Sequence, residues 1–234
     1  MMQLLASVRD VDEALCAADA GADLVDLKDP AAGALGALTI ERIAQVVAVL
    51  RARYPGLPLS ATTGDLPASA IEEILRRVQG VAACDVDYVK VGVWPGGGAL
   101  LDALADCGAT VVPVLVADAG INASLLDHAL RGRAFPALMV DTADKGGGSL
   151  LRRVPLPELS GFIAAVRSSG RLAGLAGSLR MEDAPALRAL APDIAGFRGA
   201  LTHGERAAAL DGRRVRELRR RLAAGARAPL PAAA

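Results

Sequence analysis

Lysine is almost missing from this 234-residue chain. It carries 26 lysines and arginines, and only three of them, Lys28, Lys90 and Lys145, are lysine. Aromatic residues make up only 3%, so a core has to be aliphatic. Two histidines, His128 and His203, are too few and too far apart to suggest a histidine metal site. Three cysteines, Cys16, Cys84 and Cys107, are odd in number and lack CxxC spacing, which reads as reduced thiols rather than a disulfide framework. Formal net charge is zero, so neither nucleic acid nor an anionic membrane surface is expected as a partner. No apolar run approaches the roughly 20 residues of a membrane span. The first ten residues lack the basic start and apolar core of a secretory signal, and a cytoplasmic location is expected. No glycine-rich GxGxxG follows the first apolar run, which counts against a dinucleotide-binding fold.

What is present is aliphatic: hydrophobic residues make up 53% of the chain, mostly Ala, Leu and Val. Short apolar runs alternate with segments of helical period. Strands are expected at 3–8, 22–28, 58–63, 86–93, 110–117, 137–142, 171–176 and 193–198. Helices are expected at 10–20, 40–53, 69–79, 99–106, 124–130, 158–168, 182–190 and 211–222. Asp10 with Glu13 and Thr39 supply the capping residues of the first two, and Gly21 stops the first. The strands read as continuous apolar runs rather than alternating ones, the mark of a parallel sheet buried on both faces. Eight β and eight α units in strict alternation at this length point to a closed (β/α)8 TIM barrel, class α/β. Residues 1–222 are expected to form one catalytic domain, and the Ala/Pro-rich tail, 223–234, to be disordered.

In such a barrel the chemistry sits at the carboxyl ends of the strands. The three lysines all fall there. Asp26 and Lys28 end the second strand, Thr62 the third, Lys90 the fourth, and Asp141 with Lys145 the sixth. Gly177 and Ser178 end the seventh, Arg198 and Gly199 the eighth. Arginine stays charged in proteins, whereas lysine can become a neutral amine nucleophile. A chain that writes nearly every cation as arginine but keeps lysine at three strand ends therefore points to amine chemistry. One ammonium beside another lowers its neighbour's pKa, which favours the neutral amine needed to attack an aldehyde. Taken singly, each lysine also suits a plain phosphate or carboxylate partner, and Asp26 and Asp141 suit structural ion pairs. Asp29, Asp65, Asp118 and Asp144 read as loop or capping residues, and the arginine run at 213–221 as a solvated helix face. The loops after strands seven and eight commonly bind phosphate in this fold, so the small residues there favour a phosphorylated substrate. The residues thus describe a lysine-dependent barrel enzyme acting on a small phosphorylated carbonyl compound. A class I aldolase or isomerase acting on a triose phosphate, and a non-catalytic barrel that binds a phosphorylated metabolite, remain open.

The same stretches carry a family resemblance: Asp26-Leu27-Lys28-Asp29-Pro30, Ser60-Ala61-Thr62-Thr63-Gly64-Asp65, Asp87-Tyr88-Val89-Lys90-Val91-Gly92, Asp141-Thr142-Ala143-Asp144-Lys145, Leu175-Ala176-Gly177-Ser178 and Gly196-Phe197-Arg198-Gly199-Ala200. Together they resemble the (5-formylfuran-3-yl)methyl phosphate synthases. The segment 201–210 departs from the archaeal pattern, with Thr202-His203-Gly204 where more basic residues are expected. The resemblance implies a lyase that condenses two glyceraldehyde 3-phosphates into a phosphorylated furan aldehyde for methanofuran-type one-carbon carriers. It implies Lys28 as the Schiff-base lysine and Lys90 as the proton acceptor. Asp26, Asp141 and Lys145 match the remaining charged positions. No cofactor or metal is expected, and a homo-oligomer is.

Overall fold

The computed structural model describes residues 2–144 and 146–223. Eight strands close into one parallel barrel in sequence order. They are β1 (Gln3–Val8), β2 (Leu24–Leu27), β3 (Leu59–Thr62), β4 (Tyr88–Val93), β5 (Val111–Val116), β6 (Ala137–Asp141), β7 (Leu172–Leu175) and β8 (Ile194–Phe197). β8 returns to β1 with Gln3 opposite Ile194 and Ala6 opposite Phe197. The expected (β/α)8 barrel is the fold of this chain.

The outer ring is α1 (Val11–Asp19), α2 (Ile40–Arg53), α3 (Ile71–Ala82), α4 (Gly98–Ala105), α5 (Ala123–Leu130), α6 (Leu150–Arg153), α7 (Leu156–Ser168), α8 (Ala184–Leu190) and α9 (Gly212–Ala223). Asp10 caps α1 by accepting the Glu13 N–H, and Thr39 caps α2 by accepting the Arg42 N–H. The helical period then turns Ile43, Val46, Val47 and Leu50 of α2 onto the barrel. One helix, α6, was not anticipated. Ser149 starts it by accepting the Leu151 N–H, and Val154 closes its single turn. β2 is shorter than the apolar run suggests, because the Asp23 carboxylate is drawn off to the Leu4 N–H of β1. Ala223, expected in the tail, belongs to α9, and residues 224–234 lie outside the described residues.

Alternation along each strand decides what the barrel encloses. On β1, Leu4, Ala6 and Val8 join the layer under the helices, while Leu5 joins the inner cluster with Leu24, Val112, Val114, Ala137, Met139 and Ile194. The same parity carries polar residues inward nearer the carboxyl ends: Ser7, Asp26, Ser60, Lys90 and Asp141, all buried. The barrel is therefore aliphatic at the amino end of its strands and charged at the other. Among the described residues, no helix is long and apolar enough to cross a membrane.

Asp193 anchors the aliphatic end at the start of β8. Its carboxylate accepts the Ala173 N–H at 2.9 Å and two guanidinium N–H groups of Arg167 at 2.7 and 3.0 Å. Arg167 beside it holds the carboxyl below its ordinary range. Asp193→Asn should lower unfolding stability by about 1 kcal/mol at neutral pH and leave turnover unchanged. A depressed carboxyl contributes its stability above the unfolded-state pKa, and that contribution fades as pH falls through the folded value. The gap between the two proteins should therefore be constant at neutral pH and close below about pH 4. Urea unfolding of both proteins across that range checks this.

Candidate active site

The site is built upward from Asp26. Its side chain points into the barrel and is 0% exposed. A carboxylate so buried persists only if it is paired and hydrogen-bonded. Oδ1 accepts the Ser60 hydroxyl at 2.6 Å, and Oδ2 accepts the Ser7 hydroxyl at 3.2 Å and Lys90 Nζ at 3.0 Å. Ser7, Asp26 and Ser60 sit side by side across β1, β2 and β3 in the strand register. Lys90 reaches the group from β4 with only 3% of its surface exposed.

Lys28 lies two residues beyond Asp26 and so on the same side of the chain. It is buried, and its Nζ donates to the Ala34 carbonyl at 2.6 Å. That carbonyl belongs to a loop held from three directions. Asp65 accepts the N–H groups of Ala34 and Leu35 at 2.7 and 2.9 Å. Thr62 donates its hydroxyl to the Gly36 carbonyl at 2.8 Å, and the Asp29 N–H donates to the same carbonyl. Asp65 thus fixes the acceptor that fixes Lys28.

Asp141 ends β6, buried, with one carboxylate oxygen accepting the Thr142 N–H at 2.7 Å. The loop beyond it hangs on Asp118, which accepts the N–H groups of Ala143 and Asp144 and pairs with Arg153 at 3.2 Å. Asp144 also pairs with Arg153, and the Gly146 N–H and that guanidinium hold its carboxyl below the ordinary range. Gly177 and Ser178, after β7, both have φ in the left-handed region, +112° and +47°. A side chain at Gly177 would meet the Thr142 hydroxyl at 3.0 Å, so glycine is required twice over.

These ends surround a cavity of about 440 Å3. Lys28, Lys90, Asp141, Gly177, Ser178, Arg198 and Gly199 line it. Asp26 lies against Lys90, and Thr62 stands behind the β2 loop rather than in the cavity wall. Lys145 lies outside the described residues. Arg198 has a task the sequence did not suggest. It pairs with buried Glu13 through both terminal nitrogens, at 2.5 and 3.1 Å. Its remaining N–H groups go to the carbonyls of Ser7, Arg206 and Ala208. All five donors are taken by the protein, so the guanidinium holds the β8 loop against α1 and has no N–H left for a ligand. Sequence reading also missed Ser7, Ser60, Glu13, Asp65 and Asp118 as working parts. The inward parity of Ser7 and Ser60, two residues beyond inner Leu5 and one before outer Ala61, was the signal that could have found those two. Among the described residues no cluster of His, Cys, Asp and Glu could hold a metal ion.

The family model of 4-HFC-P synthases matches residues 4–219. The chain belongs to that family. Its members are enzymes named (5-formylfuran-3-yl)methyl phosphate synthase. The one from Methanopyrus kandleri is 36% identical over 216 residues, covering 85% of this chain and 88% of its own. A Methylorubrum extorquens protein that carries the name provisionally is 41% identical over 230 residues, covering 97% of this chain and 94% of its own. Among solved structures, phosphoribosyl anthranilate isomerase from Thermus thermophilus superposes with a TM-score of 0.66 at 18% identity, covering 95% of this chain and 98% of that one. At that identity the likeness is one of fold. The lysines and carboxylates described above therefore belong to a 4-HFC-P synthase barrel.

The Asp26 cluster makes a graded prediction for the synthase. Asp26→Ala strands Lys90 as a buried cation and should cost about 3 kcal/mol or more of unfolding free energy. Ser60→Ala removes one hydrogen bond and should cost about 1 kcal/mol. Denaturant titration of the three proteins measures both. Equal losses from the two changes would mean that Asp26 is not the centre of the cluster.

Proposed function

We propose that this enzyme condenses two molecules of glyceraldehyde 3-phosphate into (5-formylfuran-3-yl)methyl phosphate, with loss of phosphate and water, through a Schiff base on Lys28. The observation that carries the reading is the pairing of two of the chain's three lysines at one cavity, over a buried carboxylate. Family membership supports it.

In this reading the Lys28 amine attacks the aldehyde of the first substrate and water leaves, giving an iminium. The iminium withdraws electrons from the neighbouring carbon and acidifies its proton. The Lys90 ammonium gives the proton with which that water leaves, becomes the neutral amine and then accepts the α-proton, and Asp26 beneath it steadies the ammonium that is restored. The enamine carbon then attacks the aldehyde of the second molecule. Elimination of phosphate, ring closure and dehydration follow, and aromaticity makes the sequence hard to reverse. Asp141 assists the later proton transfers, and Lys145 holds the second substrate or its phosphate. The left-handed turn at Gly177 and Ser178, with Gly199 beside it, offers main-chain N–H groups to a phosphate. Every step is acid–base chemistry and positioning, which the chain's own side chains can supply. The product is the furan of a methanofuran-type carrier. We also propose a cytoplasmic homo-oligomer.

Incubation with glyceraldehyde 3-phosphate tests the reaction. One inorganic phosphate should appear for each furan aldehyde, followed by its ultraviolet absorbance. Lys28→Arg should abolish both signals while leaving the fold intact, since Arg keeps the charge but cannot form an imine. Formation of a sugar phosphate without phosphate release would make the enzyme an aldolase instead.

A further inference from the structure

The loop after β8 places an arginine that the mechanism above does not use. Its ends are joined by an antiparallel bridge between Thr202 and Leu210, and the Thr202 hydroxyl donates to the Glu205 carbonyl at 3.0 Å. Three successive carbonyls of the loop are then pinned from outside. Arg198 Nε takes Arg206 O at 2.9 Å, Arg9 takes Ala207 O, and Arg198 Nη2 takes Ala208 O at 2.8 Å. Arg198 is in turn locked by buried Glu13. With its main chain so held, Arg206 reaches across β1, because β8 and β2 are both neighbours of that strand. Its Nη1 donates to Pro30 O at 3.0 Å and to Gly33 O at 3.3 Å. The half-buried guanidinium lines the cavity that Lys28 and Lys90 line.

The acceptors Arg206 meets are neutral carbonyls. Asp29, Asp65 and Asp141 act on its charge through space, and burial is the largest influence, working against the charge. A guanidinium bonded to carbonyls gains less than one bonded to an anion, and its planar fork matches a phosphate bidentately. Arg198, by contrast, has no donor left to give. We propose that Arg206 is a phosphate-recognising residue of the substrate mouth: it exchanges its Pro30 and Gly33 carbonyls for the phosphate of an incoming triose phosphate beside Lys28. Glu13 and Arg198 are positioning residues that aim it. The identity of the substrate rests on the proposed function, whereas the recognition of phosphate does not.

The experiment compares wild type, Arg206→Gln and Arg206→Lys in two assays. The first is turnover of glyceraldehyde 3-phosphate. The second is binding of glycerol 3-phosphate, which carries the phosphate but no aldehyde, followed by calorimetry. Arg206→Gln should raise KM and weaken glycerol 3-phosphate binding by about tenfold or more, with kcat changed far less. Arg206→Lys, which keeps charge without the fork, should fall between. A purely structural role would lower the melting temperature and leave KM and binding together unmoved. Glycerol 3-phosphate bound equally by wild type and Arg206→Gln, or bound by neither, would overturn the proposal. If the arginine-dependent binding appears but no furan aldehyde forms from glyceraldehyde 3-phosphate, the phosphate site stands and the proposed reaction falls.

Discussion

The buried pair of Asp26 and Lys90 is what the rest of the site depends on. Charges are expensive in a barrel interior, and this pair is held by two serine hydroxyls on the carboxylate and by the ammonium at 3.0 Å. Those four groups come from β1, β2, β3 and β4, so half of the barrel must close correctly before the pair exists. In return the pair fixes the height and direction of the cavity floor. Lys28 stands two residues beyond Asp26, just past the end of β2, and inherits that alignment.

Arginine and lysine divide the work. Arg198, Arg153 and Arg9 spend their donors on carboxylates and carbonyls within the loops, and so they shape the cavity wall. Rigid forks with several donors suit that task. Lys28 and Lys90, single and compact, stand at the cavity floor. Asp65 and Asp118 complete the scaffold from the loops after β3 and β5, each accepting two successive N–H groups of a neighbouring loop. They tie the β2 loop to the β3 loop and the β6 loop to the β5 loop.

Most of this was legible in the sequence for reasons that are local. Apolar runs of strand length, helical spacing in α2 and the caps Asp10 and Thr39 act within a few residues, and they fixed the order of elements and the barrel. Lys28 and Lys90 could be placed because topology sends strand ends to one face. The partners could not, because they are distant in sequence: Glu13 meets Arg198 across 185 positions, and Arg206 meets Pro30 across 176. Arg198 looked like a ligand by its position, and only its five filled donors give it a structural task. Asp65 and Asp118 read as plain loop residues because nothing local shows which main-chain N–H groups they accept. α6 escaped because one turn of Leu-Leu-Arg-Arg has no period to detect.

The central claim is that Lys28 carries the substrate covalently. Borohydride reduction in the presence of glyceraldehyde 3-phosphate, followed by intact and peptide mass spectrometry, tests it most directly. The account predicts one stable adduct, on the peptide containing Lys28. An adduct on Lys90 or Lys145 would contradict the assignment of roles, and substrate consumption without any adduct would contradict the covalent mechanism itself.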